Sequence, residues 1–207
     1  MIILDLDNTL FNTSIFKEDI KKSFEDVLKK YIICNDVFWD TFYQAYDFNE
    51  REKYCYCIDN HCKILNKISD TEKDDVKSKL KSIMMRQGRN YLYPDVLPAL
   101  EKLTLRKEKV ILITHGSPGF QKLKLEAINI NHFFSDIFVV TDNKISTIRR
   151  IIEKSQLGEK ILNINDHVEE LNIVKKQFPG VECYIMLRKN KSGIGSLRRL
   201  KSLSDII

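Results

Sequence analysis

Five short runs of branched aliphatic residues constrain the fold of this chain more than any other feature. They span 2–6, 110–114, 137–140, 160–165 and 183–187, and each is rich in Ile, Val or Leu. Such runs are typical of strands buried on both faces. Apolar stripes at helical spacing separate the last four runs. Strands that alternate with helices predict an α/β fold, with a parallel sheet covered by helices on both faces.

A long interval between the first and second runs has a different pattern. From about residue 15 to 91 the strand signal vanishes, and apolar and aromatic side chains recur at helical spacing. This pattern predicts four amphipathic helices, the last beginning at a capping-box pair, Ser69 and Glu72. We therefore expect an inserted all-α helical bundle over 15–91 and a core formed by 1–14 and 92–207. The 207 residues are too few for two domains of full size.

The net charge of +5 comes from one segment. Six basic residues and no acidic one lie between Arg188 and Lys201, which leaves −1 on the rest of the chain. We expect this segment to form a final helix that packs Leu197, Leu200 and Leu203 on the sheet and turns its basic side chains to water. A nucleic-acid contact is the less favoured alternative.

The composition excludes several classes of protein. With 43% hydrophobic and 30% charged residues, the chain is neither disordered nor fibrous. No apolar run approaches the roughly 18 residues of a membrane span, and the N-terminus does not resemble a signal peptide. We expect a soluble cytoplasmic protein without a membrane partner, either a monomer or a homodimer.

The cysteines invite a zinc interpretation that we do not favour. Five is an odd number, so a disulfide framework is not expected. Cys55, Cys57, His61 and Cys62 stand close in sequence, but four ligands spread around one helix cannot close a tetrahedron. We interpret the cluster as packing side chains.

Polar residues follow three of the predicted strands. They are Asp5 and Asp7 after the first, Thr114 and His115 after the second, and Asp166 and Glu170 after the fourth. In an open parallel sheet, ligands bind at the carboxyl ends of the strands, so these side chains are expected to converge. Carboxylates held together repel each other unless a cation intervenes, and oxygen ligands with few protein donors suit Mg²⁺.

These motifs, in this order, resemble those of the haloacid dehalogenase-like (HAD) superfamily. The first motif, D-x-D-x-T after an apolar strand, stands at 5–9, and the second, an apolar strand ending in Thr, at 111–114. The third motif is a lysine, for which Lys144 fits best at 22 residues before Asp166, with Lys154 and Lys160 as alternatives. The fourth motif is the pair Asp166 and Glu170.

The resemblance implies a Rossmann-like core, a helical cap over 15–91 and phosphoryl-transfer chemistry. Asp5 would be the nucleophile, and Asp7 the acid and base that serves the leaving group and then water. Thr114 and Lys144 would hold the phosphoryl group. His115 is a further candidate phosphate ligand because it adjoins Thr114.

The resemblance also implies a bound Mg²⁺ ion. Its ligands would be the Asp5 carboxylate, the Asp7 backbone carbonyl and Asp166, while Glu170 would orient the metal-bound waters. His167 adjoins Asp166 and could border the same pocket. In the implied cap, Arg51 and Arg86 are candidates to contact the leaving group.

The favoured function is a Mg²⁺-dependent phosphatase that acts on a small phosphorylated metabolite. Three alternatives stay open: a phosphotransferase or phosphomutase of the same fold, a phosphatase that trims nucleic-acid ends, and a phosphate-binding protein without catalysis.

Overall fold

The structure is a computed structural model that describes residues 1–28, 35–47, 55–67, 73–188 and 194–206. Its strands are β1 (Ile2–Leu4), β2 (Val110–His115), β3 (Asp136–Val140), β4 (Ile161–Asn165), β5 (Val181–Met186) and β6 (Arg198–Leu200). Its α-helices are α1 (Thr13–Val27), α2 (Asn35–Asp47), α3 (Ile58–Leu65), α4 (Lys73–Gln87), α5 (Val96–Leu105), α6 (Pro118–Ile128), α7 (Ile145–Glu153) and α8 (Val168–Gln177). Short 3-10 helices cover Gly88–Tyr91, Asn131–Phe133 and Leu203–Ile206.

The strands within the described ranges form one six-stranded parallel sheet in the order β3-β2-β1-β4-β5-β6. Ile2 pairs with Val110 on one side and with Leu162 on the other. The direction of strand addition reverses between β1 and β4. This reversal is the switch point where open α/β sheets bind ligands, and it places the residues after β1 and β4 side by side.

Both faces of the sheet are covered, as the sequence predicts. On one face, Ile148 of α7 and Leu171 of α8 pack against sheet residues such as Ile3 and Ile113. Strand residues on the other face are also buried, among them Leu4, which is fully inaccessible. Side chains alternate across a strand, so burial at successive positions requires cover on both sides.

The chain divides into two compact units. The first comprises Met1–Asn12, Leu92–Thr114 and Ile130–Ile207, and the second comprises Thr13–Tyr91 and His115–Asn129. The second unit contains α1–α4, where the sequence predicts four helices, and also α6, which packs against α4. The Ser69–Glu72 capping box lies outside the described residues.

The second unit is built around a histidine without charge. His61 is fully buried, with Nε2 2.9 Å from the Thr41 hydroxyl and Nδ1 2.9 Å from the Tyr56 hydroxyl. The Thr41 hydroxyl donates to the Val37 carbonyl at 2.7 Å, so it accepts from the histidine and assigns the proton to Nε2. Nδ1 then accepts from Tyr56, and the neutral ring is satisfied at both nitrogens.

One premise about the cysteine cluster was wrong. Helix α3 begins at Ile58, so Cys55 and Cys57 precede it and do not share a helix with Cys62. Cys55, Cys57 and Cys62 are reduced thiols, and both ring nitrogens of His61 bond to hydroxyl groups. Ligand spacing on one helix therefore does not apply to this cluster. The interpretation of the cluster as packing side chains is still consistent with the burial of Cys55, His61 and Cys62.

The final helix expected over the basic segment was also wrong. Residues Arg198–Leu200 form β6, which pairs with β5 so that Leu200 lies opposite Met186. The edge of β5 offers unpaired backbone groups, and pairing with them outweighs a short helix, which is marginal on its own. Leu197, Leu200 and Leu203 are nonetheless buried, as predicted. Lys189 and Lys191 lie outside the described residues.

Among the described residues, no helix combines the length and the apolarity that crossing a bilayer requires.

Candidate functional site

A tight turn follows β1 and carries the first motif. The strand ends at Leu4, two residues earlier than the aliphatic run predicts, because the Leu6 carbonyl accepts the amides of Thr9, Leu10 and Phe11 at 2.8–3.3 Å. Asn8 has a φ of 56°, a left-handed conformation that Asn tolerates better than most residues. The turn sets Asp5 and Asp7 at the end of the central strand.

Asp5 is paired with Lys144. The Lys144 ammonium lies 2.7 Å from Asp5 Oδ1 and 3.2 Å from Glu170 Oε2. Both partners in the shorter contact are buried, and Glu170 is partly buried. The charges of Asp5 and Glu170 hold the pKa of Lys144 above its ordinary value, although burial opposes this, so the lysine stays charged.

Neither alternative lysine occupies this position. Lys154 follows α7 and is exposed, and Lys160 is exposed and paired with Glu182 at 3.2 Å. The geometry therefore brings together Asp5, Lys144 and Glu170, three of the side chains expected to share a site.

Asn165 has a role that sequence reasoning missed. Its side-chain amide donates to Glu170 Oε2 at 2.7 Å, and its Oδ1 accepts the His167 amide at 3.0 Å. Asn165 therefore holds Glu170 while fixing the chain around Asp166. The signal in the sequence was a buried position directly before the predicted metal ligand, where a polar side chain needs a partner.

The donor set fits a divalent cation. Burial raises the pKa of Asp5, Lys144 lowers it, and the charges of Asp166 and Asp7 also raise it, so that the pKa stands at about 7. Four carboxylates, those of Asp5, Asp7, Asp166 and Glu170, stand against one ammonium. Excess negative charge of this kind is relieved by a bound cation.

The chemistry of the donors favours Mg²⁺ over a metal with an all-protein cage. Within the described ranges, no three His, Cys, Asp or Glu side chains converge to form a metal centre. Mg²⁺ does not require such a centre, because it keeps several waters and takes one or two carboxylates from the protein. The predicted ligands, the carboxylates of Asp5 and Asp166 with the Asp7 backbone carbonyl, would meet that requirement.

Two threonine hydroxyls suit a ligand with oxygen atoms. Thr9 and Thr114 are fully buried, and their Oγ1 atoms lack a hydrogen-bond partner among the residues that the structure describes. A buried hydroxyl without a partner is costly, so such groups commonly mark a binding site. Thr114 was predicted for this role, whereas Thr9 was recognised only as part of the first motif.

Other predicted residues have different surroundings. His115 is partly buried, its Nε2 lies 3.9 Å from Cys55 Sγ, and its carbonyl accepts from Gln121 at 2.7 Å. His167 is exposed beside Glu169, and Arg86 is exposed on α4. Arg51 lies outside the described residues. Roles for these four in binding substrate stay predictions.

Solved structures with the same fold cover nearly all of this chain. A Burkholderia xenovorans LB400 protein assigned as a haloacid dehalogenase-like hydrolase matches at 16% identity and a TM-score of 0.74, over 99% of this chain and 93% of that one. A Thermotoga maritima protein assigned as a β-phosphoglucomutase matches at 18% identity and a TM-score of 0.67, over 99% and 95%.

A third structure was solved with a metal. The HAD-hydrolase YfnB of Bacillus subtilis, bound to magnesium, matches at 16% identity and a TM-score of 0.65, over 99% of this chain and 95% of that one. At these identities the likeness shows the fold. No curated protein sequence matches the chain.

The sequence itself also matches a family model. The model describes a haloacid dehalogenase-like hydrolase and covers residues 1–177, which include all four motifs. With the parallel sheet, the switch-point carboxylates and the buried lysine, this match shows that the chain belongs to the haloacid dehalogenase-like hydrolases.

Proposed function

We propose that this hydrolase is a Mg²⁺-dependent phosphatase that cleaves a small phosphomonoester through an aspartyl-phosphate. The observation that carries the proposal is the buried Asp5, bonded to Lys144 at 2.7 Å and followed by Asp7 two residues later. A carboxylate beside a lysine can attack phosphorus while the ammonium balances the charge of the phosphoryl oxygens.

In the first step, one oxygen of Asp5 bonds to phosphorus and the bond from phosphorus to the leaving oxygen breaks. Asp7, in its acid form, gives its proton to that oxygen, and the alcohol departs. The hydroxyls of Thr114 and Thr9 donate to phosphoryl oxygens, which supplies the partners that these buried groups otherwise lack. Lys144 holds Asp5 in position for attack.

In the second step, Asp7 is a carboxylate and takes a proton from water. The water oxygen bonds to phosphorus, the bond to Asp5 breaks, and inorganic phosphate leaves. Asp7 is then protonated again, so the cycle closes without another reactant. When bound by Asp5, Asp166 and the Asp7 carbonyl, Mg²⁺ would supply charge neutralisation for the phosphoryl oxygens.

Asp7 also bears on the choice between phosphate and halide chemistry. An alkoxide leaving group needs a proton, whereas a halide departs without one, so an acid two residues after the nucleophile favours phosphate esters. The match to a protein assigned as a phosphomutase keeps phosphoryl transfer to a second hydroxyl as an alternative. The two differ only in whether water or a hydroxyl reaches the aspartyl-phosphate.

A panel of phosphorylated metabolites, with p-nitrophenyl phosphate as a general substrate, tests the proposal. We expect phosphate release that requires Mg²⁺, stops with a chelator and returns when Mg²⁺ is restored. A chelator selective for zinc should leave the rate unchanged in excess Mg²⁺. Product without free phosphate, with the phosphoryl group on an added sugar, would favour the transferase.

A measurement of thermal stability checks the metal without relying on activity. Mg²⁺ at about 100 times its dissociation constant should stabilise the fold by about 2.7 kcal/mol and raise the midpoint of unfolding. Asp166→Ala should lose most of this increase, while Cys62→Ser should keep it. An equal response in wild type and Asp166→Ala would remove Asp166 from the metal site.

A further inference from the structure

An arginine outside the four motifs contacts the turn that carries the first motif. Arg188 lies just after β5, and its side chain is only 7% exposed. Its Nε and one terminal nitrogen donate to the Thr9 carbonyl at 3.1 and 2.9 Å. Thr9 lies two residues after Asp7, so this contact fixes the backbone between the acid–base residue and the unpartnered Thr9 hydroxyl.

The guanidinium is itself anchored on an acid. Arg188 forms a two-pronged pair with Asp95, at 2.7 Å to Oδ1 and 3.0 Å to Oδ2. Burial alone would raise the pKa of Asp95, but Arg188 and the Leu203 amide hold it below its ordinary value, so the carboxylate stays charged. Two parallel hydrogen bonds between a guanidinium and a carboxylate fix the orientation of both groups.

The Asp95 carboxylate also binds two residues that follow β6. Asp95 Oδ2 accepts from the Leu203 amide at 2.7 Å and from the Ser202 hydroxyl at 3.2 Å. The Arg188 guanidinium also stacks over the Tyr93 ring at 4.3 Å. Within the first compact unit, the segments after β1, before α5, after β5 and after β6 therefore meet at one ion pair.

We propose that Arg188 is a positioning residue, which sets the geometry of the Asp7–Thr9 turn through the Thr9 carbonyl and takes its own orientation from Asp95. This inference rests on the proposed function, because it concerns the step that Asp7 serves. Arg188 does not touch the substrate in this account. The basic residue at the start of the 188–201 segment therefore serves catalysis and is not part of a nucleic-acid surface.

The chemistry of the arginine makes its role specific. A lysine cannot hold two oxygens of Asp95 and the Thr9 carbonyl at once, because its ammonium is a point charge without a planar fork. Displacement of a reacting group by about 1 Å can cost about 100-fold in rate. Lys144 and Thr114 lie outside this turn and would still hold the phosphoryl group, so a shift of the turn should lower kcat more than it weakens phosphate binding.

Steady-state kinetics of p-nitrophenyl phosphate and of the best metabolite, with Mg²⁺, test the proposal. For the metabolite we expect Arg188→Lys to lower kcat by about 100-fold and to change KM much less. For p-nitrophenyl phosphate, whose leaving group needs no proton, the loss should fall on hydrolysis of the phosphoenzyme and appear as a burst. A wild-type kcat in Arg188→Lys would overturn the proposal.

Rescue by free guanidinium separates positioning from general support of the fold. Millimolar guanidinium chloride should raise the kcat of Arg188→Ala by about tenfold, the effect of one restored charge-assisted hydrogen bond, while methylammonium at equal ionic strength should not. Rescue by both ions or by neither would contradict the proposal. If Arg188→Ala does not fold, Arg188→Lys and Asp95→Asn decide, and both should show the same split between kcat and KM.

Arg198 provides a matched control. Like Arg188, it bonds an acid, Glu182 at 2.6 Å, and lies over an aromatic ring, Tyr184 at 5.6 Å, but it is exposed and does not touch the turn. Arg198→Ala should leave kcat unchanged, and added guanidinium should have no effect on it. An equal loss of kcat in Arg198→Ala and Arg188→Ala would overturn the proposal. A wild type inactive on every ester would refute the phosphatase itself, whereas an active wild type with unaffected Arg188 variants refutes only this inference.

Discussion

Each compact unit contains a buried polar cluster, and the two clusters differ in charge. In the first, the interior beside the switch point holds charges: Asp5, Lys144 and the pair of Arg188 with Asp95. In the second, His61 is buried neutral between the hydroxyls of Thr41 and Tyr56, with Phe24 and Phe38 packed against its ring.

The difference in charge indicates which of the two clusters is expected to serve chemistry. Burying an ion pair removes two charges from water, and the attraction and hydrogen bonds between them recover only part of that free energy. Such a pair therefore contributes little to stability. The neutral network of the second unit is satisfied at each ring nitrogen and completes a core of aromatic side chains. We therefore expect the charged cluster to serve reactivity and the neutral one to serve stability.

The largest effect should come from Asp5→Asn. The amide keeps the shape of the side chain but cannot attack phosphorus, so kcat should fall by more than about 10⁴-fold. The free energy of unfolding should change little, because Lys144 keeps Glu170 as a partner. Activity above about a hundredth of wild type, measured as phosphate release, would remove the covalent mechanism.

A smaller loss of rate is expected for Lys144→Met. Without the ammonium, neither Asp5 nor the phosphoryl oxygens have their balancing charge, and kcat should fall by about 100- to 1000-fold. Lys160→Met is the control: its pair with Glu182 is exposed, so both rate and stability should stay close to wild type. Equal losses in the two variants would show that no special role belongs to the buried lysine.

His61 predicts a pH dependence that belongs to the second unit. Burial lowers the pKa of His61 to about 3, whereas the unfolded chain has the ordinary value of 6.5. Between about pH 3 and 6.5, His61 therefore binds a proton in the unfolded state but not in the folded state. Stability is full above that pH and falls as the solution is acidified towards 3, by up to about 1.4 kcal/mol per pH unit.

Denaturant unfolding between pH 7 and 5 measures this slope. His61→Gln should be less stable at pH 7 but should lose the contribution of this residue to the slope, while His132→Gln, at an exposed position, should keep it. An unchanged slope in His61→Gln would show that the ring is not buried neutral.

Much of the fold could be predicted because each aliphatic run carries its own signal. Five of the six strands and the four helices from α1 to α4 follow from residue spacing, since apolar periodicity is local. Strand β6 could not be found in this way. Its leucines fit a helix equally well, and pairing with the edge of β5, which spacing within the segment does not reveal, decides between the two.

The residues of the candidate site also differ in whether the sequence could predict them. Asp5, Asp7, Thr114, Asp166 and Glu170 could be proposed because they follow predicted strands, whereas Lys144 could be proposed only from the resemblance to the family. Asn165 could not, because spacing does not show which groups its side chain bonds, although Glu170 and the His167 amide lie within five residues of it. Arg188 could not, because its role depends on a partner that only folding brings near, Thr9, which lies 179 residues before it. Contacts of long range leave no periodic signal in a single sequence.

The central claim is a covalent bond between Asp5 and phosphorus, and Asp7→Asn with p-nitrophenyl phosphate and Mg²⁺ tests it most directly. Nitrophenolate departs without a proton, so the first step should proceed while hydrolysis stalls for lack of a base. We expect a burst of one nitrophenolate per enzyme and, by mass spectrometry, a phosphoryl group on the peptide at Asp5. Steady turnover at the wild-type rate, with no burst and no phosphoryl group on Asp5, would contradict the account.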